Sequence, residues 1–351
     1  MPAFTTHNSS PAQRVKDLRT RSHRRPRRVI AVLAVAVLAV FLMRVLLGSY
    51  TVTFPDFLTI LQGGTVEGAR GARFIVMEDK LPRAVLGLLV GMAFGASGAI
   101  FQLLLRNPLA SPDVIGISTG ASLGAVLGIV YWGATGFSLS IFAVVFSLLI
   151  AVGIMALSSG RGNVGHRFIL MGIGVSALAG SIINYLISRM NLNSASSAAL
   201  WMTGSLSSAN WDRISILLLV LAVIVPFVVV LHSRLHAIAV GEELAHSLGL
   251  NVAITRWIFI VLGVLLAAVA TAATGPIAFV AFVSGPIARR LIGGAHSLTA
   301  SALVGAFIVL LADFIASNYI ASGSMPVGVL TGVFGAPILI WLLVRAQKEA
   351  G

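Results

Sequence analysis

The chain has 351 residues, of which 58% are hydrophobic and 10% charged, with a formal net charge of +13 and no cysteine. A soluble domain sits near half apolar and a quarter charged, so this composition excludes an ordinary globule in water and selects a polytopic membrane protein. The missing cysteines exclude a disulfide framework and a thiolate metal site.

Length alone would suggest about two domains at roughly 150 residues each, but a helical bundle in lipid can be one unit. The chain reads as a basic tail over 1–28, a single ten-helix domain over 29–346 and a short end over 347–351. The first stretch to interpret is PAQRVKDLRTRSHRRPRR, residues 11–28, with eight Lys/Arg. Such a run suits nucleic acid or anionic lipid. Flanking a membrane helix it reads instead as a disordered, solvated tail held in the cytoplasm by the positive-inside rule, with membrane lipid and no nucleic acid as partner. Residues 29–47 are long for a signal peptide, contain Arg44 and lack a small-residue cleavage pattern, so they form the first membrane helix.

Crossing the hydrocarbon takes ~20 apolar residues. The expected spans are 29–47, 84–105, 114–132, 137–158, 168–187, 213–231, 256–274, 277–290, 298–317 and 327–345. The eighth is short and interrupted by Gly285-Pro286, which predicts a partial span or a kinked pair. Starting with the tail inside, the cytoplasmic loops are 106–113, 159–167, 232–255 and 291–297, and they carry or abut Arg106, Arg161, Arg167, Arg234, Arg256, Arg289 and Arg290. The outer loop 48–83 balances Arg70, Arg73, Lys80 and Arg83 against Asp56, Glu67, Glu78 and Asp79. The outer segment 188–212 is small and polar, with Trp201 and Trp211 as interfacial anchors, and predicts a helix lying flat. GAIFQLLLRNP at 98–108 is weakly echoed from Thr274 onward, by TGPIAFVAFVSGP, after helices that run in opposite directions, a pattern of transporters with inverted repeats.

The chain has no GxxxxGK[ST] and no HExxH, so neither a phosphate loop nor that zinc helix is present. The pair His232/His236 stands at i,i+4 beside Arg234 and reads as a solvated helix end rather than a metal site. Asp313 is the one acid deep within a span and Arg44 the one base. Asp313 is either a coupling-ion site or a carboxylate bonded to a neighbouring helix. A lone acid is thin equipment for a pump, so uphill transport would draw its energy from another subunit.

GEELAHSLGL, 241–250, supplies the place for that subunit. Glu242, Glu243 and Ala245 start a short helix with its acids at the positive end, Gly249 stops it, and Leu244, Leu248 and Leu250 offer apolar contacts. It reads as a docking element or an ordinary capped loop helix.

Several blocks resemble one family. They are LPRAVLGLLVGMAFGASGAIFQLLLRNPLASPDVIGISTGAS (81–122), GEELAHSLGLNV (241–252), TGPIAFVAFVSGPIARRLIG (274–293), LLADFIA (310–316) and MPVGVLTGVFGAPILIWLL (325–343). The chain is similar to the FecCD/BtuC-like permease subunits of ATP-binding-cassette importers for iron–siderophore, cobalamin or haem. The resemblance covers nearly everything after residue 80. It implies an all-α polytopic membrane protein of about ten helices in two inverted-repeat-like halves, the type II importer permease fold, in the bacterial cytoplasmic membrane with both termini cytoplasmic. It implies a second permease, identical or homologous, two ATPase subunits that bind ATP and Mg, and an external siderophore-binding protein. It implies no enzyme activity, metal or cofactor in this chain.

Residue by residue, Gly241, Glu242, Glu243, Ala245, Leu248 and Gly249 match the family's ATPase-coupling helix. Lys80 and Arg83 match its basic pair for binding-protein docking, with Lys80 where Arg is usual and Ser317 where another Arg often stands. The family's Pro-His is Gly285-Pro286 here. The cytoplasmic gate falls at Gly165 and His166. The motif positions Pro108, Pro112, Asp113, Gly116, Gly275, Pro276 and Asp313 are structural. A wide, weakly binding path is expected along segments bearing Ser97, Gln102, Asn107, Ser118, Thr119, Ser176, Ser181 and Asn184. The expected function is the permease of a ferric siderophore importer. Cobalamin or haem import by the same architecture is the alternative, and an ion-coupled transporter using Asp313 a more distant one.

Overall fold

In hydrocarbon every backbone amide must find its partner within the protein, so apolar runs of ~20 residues become helices. The computed structural model describes residues 11–48, 50–66, 71–158, 164–320 and 325–350. In chain order its helices are α1 (Pro11–Leu46), α2 (Phe54–Leu61), α3 (Ala72–Phe74), a π-helical stretch (Ile75–Lys80) and α4 (Leu81–Leu104). Then follow α5 (Ile117–Trp132), α6 (Gly136–Ser158), α7 (Val164–Arg189), α8 (Leu192–Met202) and α9 (Trp211–Val240). The last are α10 (Glu242–Ser247), α11 (Val252–Thr274), α12 (Val280–Ile292), α13 (Leu298–Asn318) and α14 (Val327–Ala350).

Each of the ten expected spans falls on a helix: α1, α4, α5, α6, α7, α9, α11, α12, α13 and α14. Seven stretches among the described residues are long and apolar enough to cross a membrane alone: Arg25–Leu46, Ala72–Leu104, Gly136–Ser158, Arg167–Arg189, Trp211–Val240, Val252–Thr274 and Leu298–Asn318. The others are shorter. α5 starts only at Ile117, after an irregular segment, and α12 has 13 residues. The interrupted eighth segment is therefore a partial span with Pro286 inside it, preceded by turns at Gly275 (φ 75°) and Phe279 (φ 65°).

Two elements depart from expectation. Residues 11–28 are not a structureless tail, because α1 runs unbroken from Pro11 through Pro26 into the apolar stretch. Lys and Arg are good helix formers, and a helix once nucleated propagates at little cost. The described residues of 50–66 and 71–83 form short helices that the sequence reading did not specify. Thr53 caps α2 by accepting from the amide of Asp56, and the π-helical turn leads directly into α4. A helix expected within 188–212 is present as α8, capped by Asn191, and the indole of Trp211 donates to the Met77 carbonyl at 2.7 Å.

α4 is the central helix, packed against α13, α11, α12, α9 and α1. Gly87, Gly91 and Gly95 recur every fourth residue, which places them on one face. A Cβ at Gly91 would sit 2.6 Å from the Gly305 carbonyl, and one at Gly95 2.2 Å from that of Ser301, so only glycine admits this approach of α13. Phe94, Phe101 and Phe259 fill the surrounding core. The outer faces are apolar too. Leu219, Val223, Phe227 and Val230 of α9 are exposed, as a lipid-facing helix requires.

Candidate functional site: coupling helix and buried charge cluster

The sequence after α9 makes a sharp knob. Glu242 and Glu243 occupy the first turn of α10, where the helix dipole favours acid. Gly249 adopts φ +77°, and the amides of Gly249 and Leu250 return to the carbonyls of His246 (2.9 Å) and Ala245 (3.0 Å). This left-handed stop is the one the glycine predicts. Ala245 is fully buried against Ile238 and Val252, with Ala237 and Leu250 alongside, so α10 is seated on the ends of both α9 and α11. Arg256 Nη2 donates to Glu242 Oε1 at 2.6 Å, a second tie to α11. Leu244 and Leu248 remain 47% and 64% exposed. Leu250 turns inward, so the apolar contact face consists of Leu244 and Leu248 rather than three leucines.

The sequence reading missed Arg106. Its Nη2 donates to the Ile238 carbonyl at 2.6 Å, and its own φ is 48°. It ties the end of α4 to the last turn of α9, immediately before α10. An arginine directly before Asn-Pro at the end of a span was the available signal.

The buried charges gather elsewhere. Asp313 of α13 is fully buried, and Arg44 and Arg83 are 4% and 7% exposed. Arg44 Nε donates to Asp313 Oδ2 at 2.7 Å, while Arg83 Nη2 and Nε donate to Oδ1 at 2.8 and 3.0 Å. Three helices, α1, α4 and α13, are thus pinned by one carboxylate. Lys80 is 3% exposed. Its ammonium donates to the carbonyls of Val45 (3.2 Å), Leu47 (2.8 Å) and Tyr50, capping the negative end of α1. Lys80 and Arg83, expected as a docking pair, are thus both buried and bonded within the chain. The π-helical turn carries Lys80 inward, and both charges are used up inside the protein.

The expected path residues separate into two groups. Gln102 is buried and donates to the Phe282 carbonyl at 2.9 Å, in a space left by Gly285, and Ser97 donates to the Gly263 carbonyl at 2.6 Å. Both are helix–helix contacts and not lining. Gly285 therefore serves packing. Ser118 and Thr119, with Ser111 and Asp113, line an open cavity of about 460 Å³ bounded by Thr203, Pro276 and Phe279. Ser118 donates to Asp113 Oδ1. Asn107 accepts from the Leu109 amide at 2.9 Å, holding the turn before Pro108. Ser176 and Ser181 return to carbonyls of their own helix, and Asn184 is exposed on α7. Gly165 and His166 stand in the first turn of α7, but their side chains lie outside the described residues.

The motif residues hold the breaks in the bundle. The amide of Ile117 returns to the Pro112 carbonyl (3.0 Å), and Gly116, at φ +93°, has no room for a Cβ beside Ser176. Gly275 abuts the Trp201 carbonyl. Next to Pro276, the amides of Ser205 and Gly328 bond the carbonyls of Thr274 (2.7 Å) and Gly204 (3.0 Å).

The profile of the FecCD transport family matches residues 33–345. The chain belongs to that family. Among its relatives is the ferric enterobactin transport system permease protein FepG of Escherichia coli (strain K12), 35% identical over 303 residues, or 86% of this chain and 91% of FepG. The Fe(3+)-citrate import system permease protein YfmE of Bacillus subtilis (strain 168) is 33% identical over 334 residues, 94% of this chain and 99% of YfmE. A solved metal-chelate type ABC transporter in an inward-facing conformation shares the fold, with TM-score 0.80 and 24% identity over 91% of this chain and 99% of that one.

Proposed function

We propose that this FecCD-family chain is the permease subunit of an ATP-driven importer that moves ferric siderophore across the bacterial cytoplasmic membrane. It works beside a second permease, is driven by two ATPase subunits that bind ATP and Mg, and is fed by an external binding protein. The observation that carries the reading is α10: two exposed leucines on a short helix whose inner side is bolted to α9 and α11. An ATPase cleft closing on Leu244 and Leu248 moves both spans, and through Arg106 it also reaches the end of α4. Relatives named for ferric enterobactin and Fe(3+)-citrate support the cargo class. Ion coupling at Asp313 is not favoured, because both carboxylate oxygens are already held by guanidinium groups.

The test is ferric siderophore uptake by cells carrying Leu244→Asp with Leu248→Asp, beside Asp313→Asn, at matched membrane abundance. The reading expects the double variant to lose uptake and ATPase co-purification while Asp313→Asn retains uptake per folded copy. Normal uptake by the double variant would overturn it.

A further inference from the structure

Two cavities meet at Arg213, away from the coupling helix and the charge cluster. The first is an apolar groove of about 440 Å³ with α11 as its floor and α6 and α9 as its walls, lined by Val144, Val145, Ile216, Val220, Leu265 and Val269. Val145 and Ile216 are exposed along it, and the neighbouring outer face of α9 is the lipid-facing one. From Arg213 to Val220 along α9, and from Gly136 to Val145 along α6, the groove extends about 10–14 Å at ~1.5 Å per residue. That is nearly one leaflet of a hydrocarbon core ~30 Å thick.

The second cavity, about 480 Å³, has a mixed lining in which Thr135, Asn193, Ser194, Ser197 and Ser208 set polar groups among apolar ones such as Leu139. Asn193, Ser194, Ser197 and Trp201 come from one face of α8. Gly136, Ser140, Arg213 and Ala272 line both cavities, so the chamber adjoins the apolar groove at the arginine. Arg213 is half-buried. Its Nη1 donates to Ser208 Oγ (2.6 Å) and to the Ala273 carbonyl (3.0 Å), which fixes the guanidinium and leaves Nη2 and Nε for another acceptor.

We infer that the two cavities form one binding site for a membrane phospholipid, with its phosphate on Arg213, its headgroup in the α8 chamber and an acyl chain in the α6–α9–α11 groove. The order of a chamber bearing hydroxyl and amide groups, a fixed cation and an apolar slot one leaflet deep is the order of headgroup, phosphate and chain in a lipid. A planar guanidinium held from one side suits a phosphate oxygen pair, and the indole of Trp201 lines the chamber beside it, a residue type favoured at the headgroup level. The site is independent of the transport reading: it needs only the fold and the membrane.

The experiment is native mass spectrometry of the full purified chain in detergent with added phosphatidylethanolamine. The wild type is expected to keep one lipid under activation that strips the rest. Arg213→Gln should weaken that retention about tenfold, the scale of a lost charge-assisted hydrogen bond, and Arg213→Lys should weaken it less. Val220→Trp fills the groove without replacing the arginine and should abolish retention. Val223→Trp, on the exposed face beyond the groove, should not. Size-exclusion profiles matching wild type show that the variants fold. Equal retention by wild type, Arg213→Gln and Val220→Trp would overturn the site. So would a cross-link between two copies of Val220→Cys, which would make the groove a protein interface.

Discussion

Asp313 shows how a residue's role depends on what surrounds it. In the sequence it is the one acid within a span; in the fold it is the shared anion of Arg44 and Arg83. Desolvated charges are costly unless paired, and removing one partner leaves the others uncompensated. Asp313→Asn is therefore expected to cost about 3 kcal/mol or more, since two buried guanidiniums lose their counterion. The readout is a lowered thermal midpoint in detergent and reduced membrane abundance, with uptake per folded copy keeping the wild-type pH profile. The companion triple variant Arg44→Met, Arg83→Met, Asp313→Leu should recover much of that midpoint, because an apolar replacement of the whole cluster leaves no charge unpaired. Lys80 illustrates the same dependence. Its charge and position were legible, but its inward direction was not, because a π-helical turn rotates the residues ahead of α4.

At the scale of elements, two helices carry separable duties. α4 holds the bundle together through its glycine face. Gly91→Leu would drive a side chain into the Gly305–Ala306 backbone, which cannot retreat as a flexible side chain can. Overpacking of this kind costs about 1–3 kcal/mol or more, so the expected outcome is a sharp fall in monodisperse protein on size exclusion. α10 is instead held locally. Nothing lies within 4 Å of a Cβ built on Gly249, so the penalty of a substitution there comes from the backbone alone. At φ +77° a β-branched residue is strained by about 1–2 kcal/mol, whereas asparagine tolerates the left-handed region. Gly249→Val should lower the midpoint and ATPase co-purification together, and Gly249→Asn should stay close to wild type in both.

At the scale of the whole molecule, the absence of cysteine gives a clean background for testing orientation. Leu248 is 64% exposed on α10 and Leu192 is 85% exposed at the start of α8. If the basic loops lie inside, Leu248→Cys should react with a membrane-impermeant maleimide only in inverted vesicles, and Leu192→Cys only in intact cells or spheroplasts. The opposite pattern would invert the topology and place α10 out of reach of any cytoplasmic ATPase.

The sequence by itself determined the membrane class, the ten helical segments, the short helix in GEELAHSLGL and the family. These follow from local quantities: apolar length against bilayer thickness, capping residues and an unbroken motif such as NPLASPDVIG. Only the tertiary structure decided which polar side chains face inward. It made Lys80, Arg83 and Gln102, expected as docking or lining groups, internal ties, joined Arg44 to Asp313 across 269 residues, and brought Arg106 to the last turn of α9. Those pairings are set by helix rotation and by how closely glycine lets backbones approach. Such long-range geometry leaves no mark on the residues next to it in the chain.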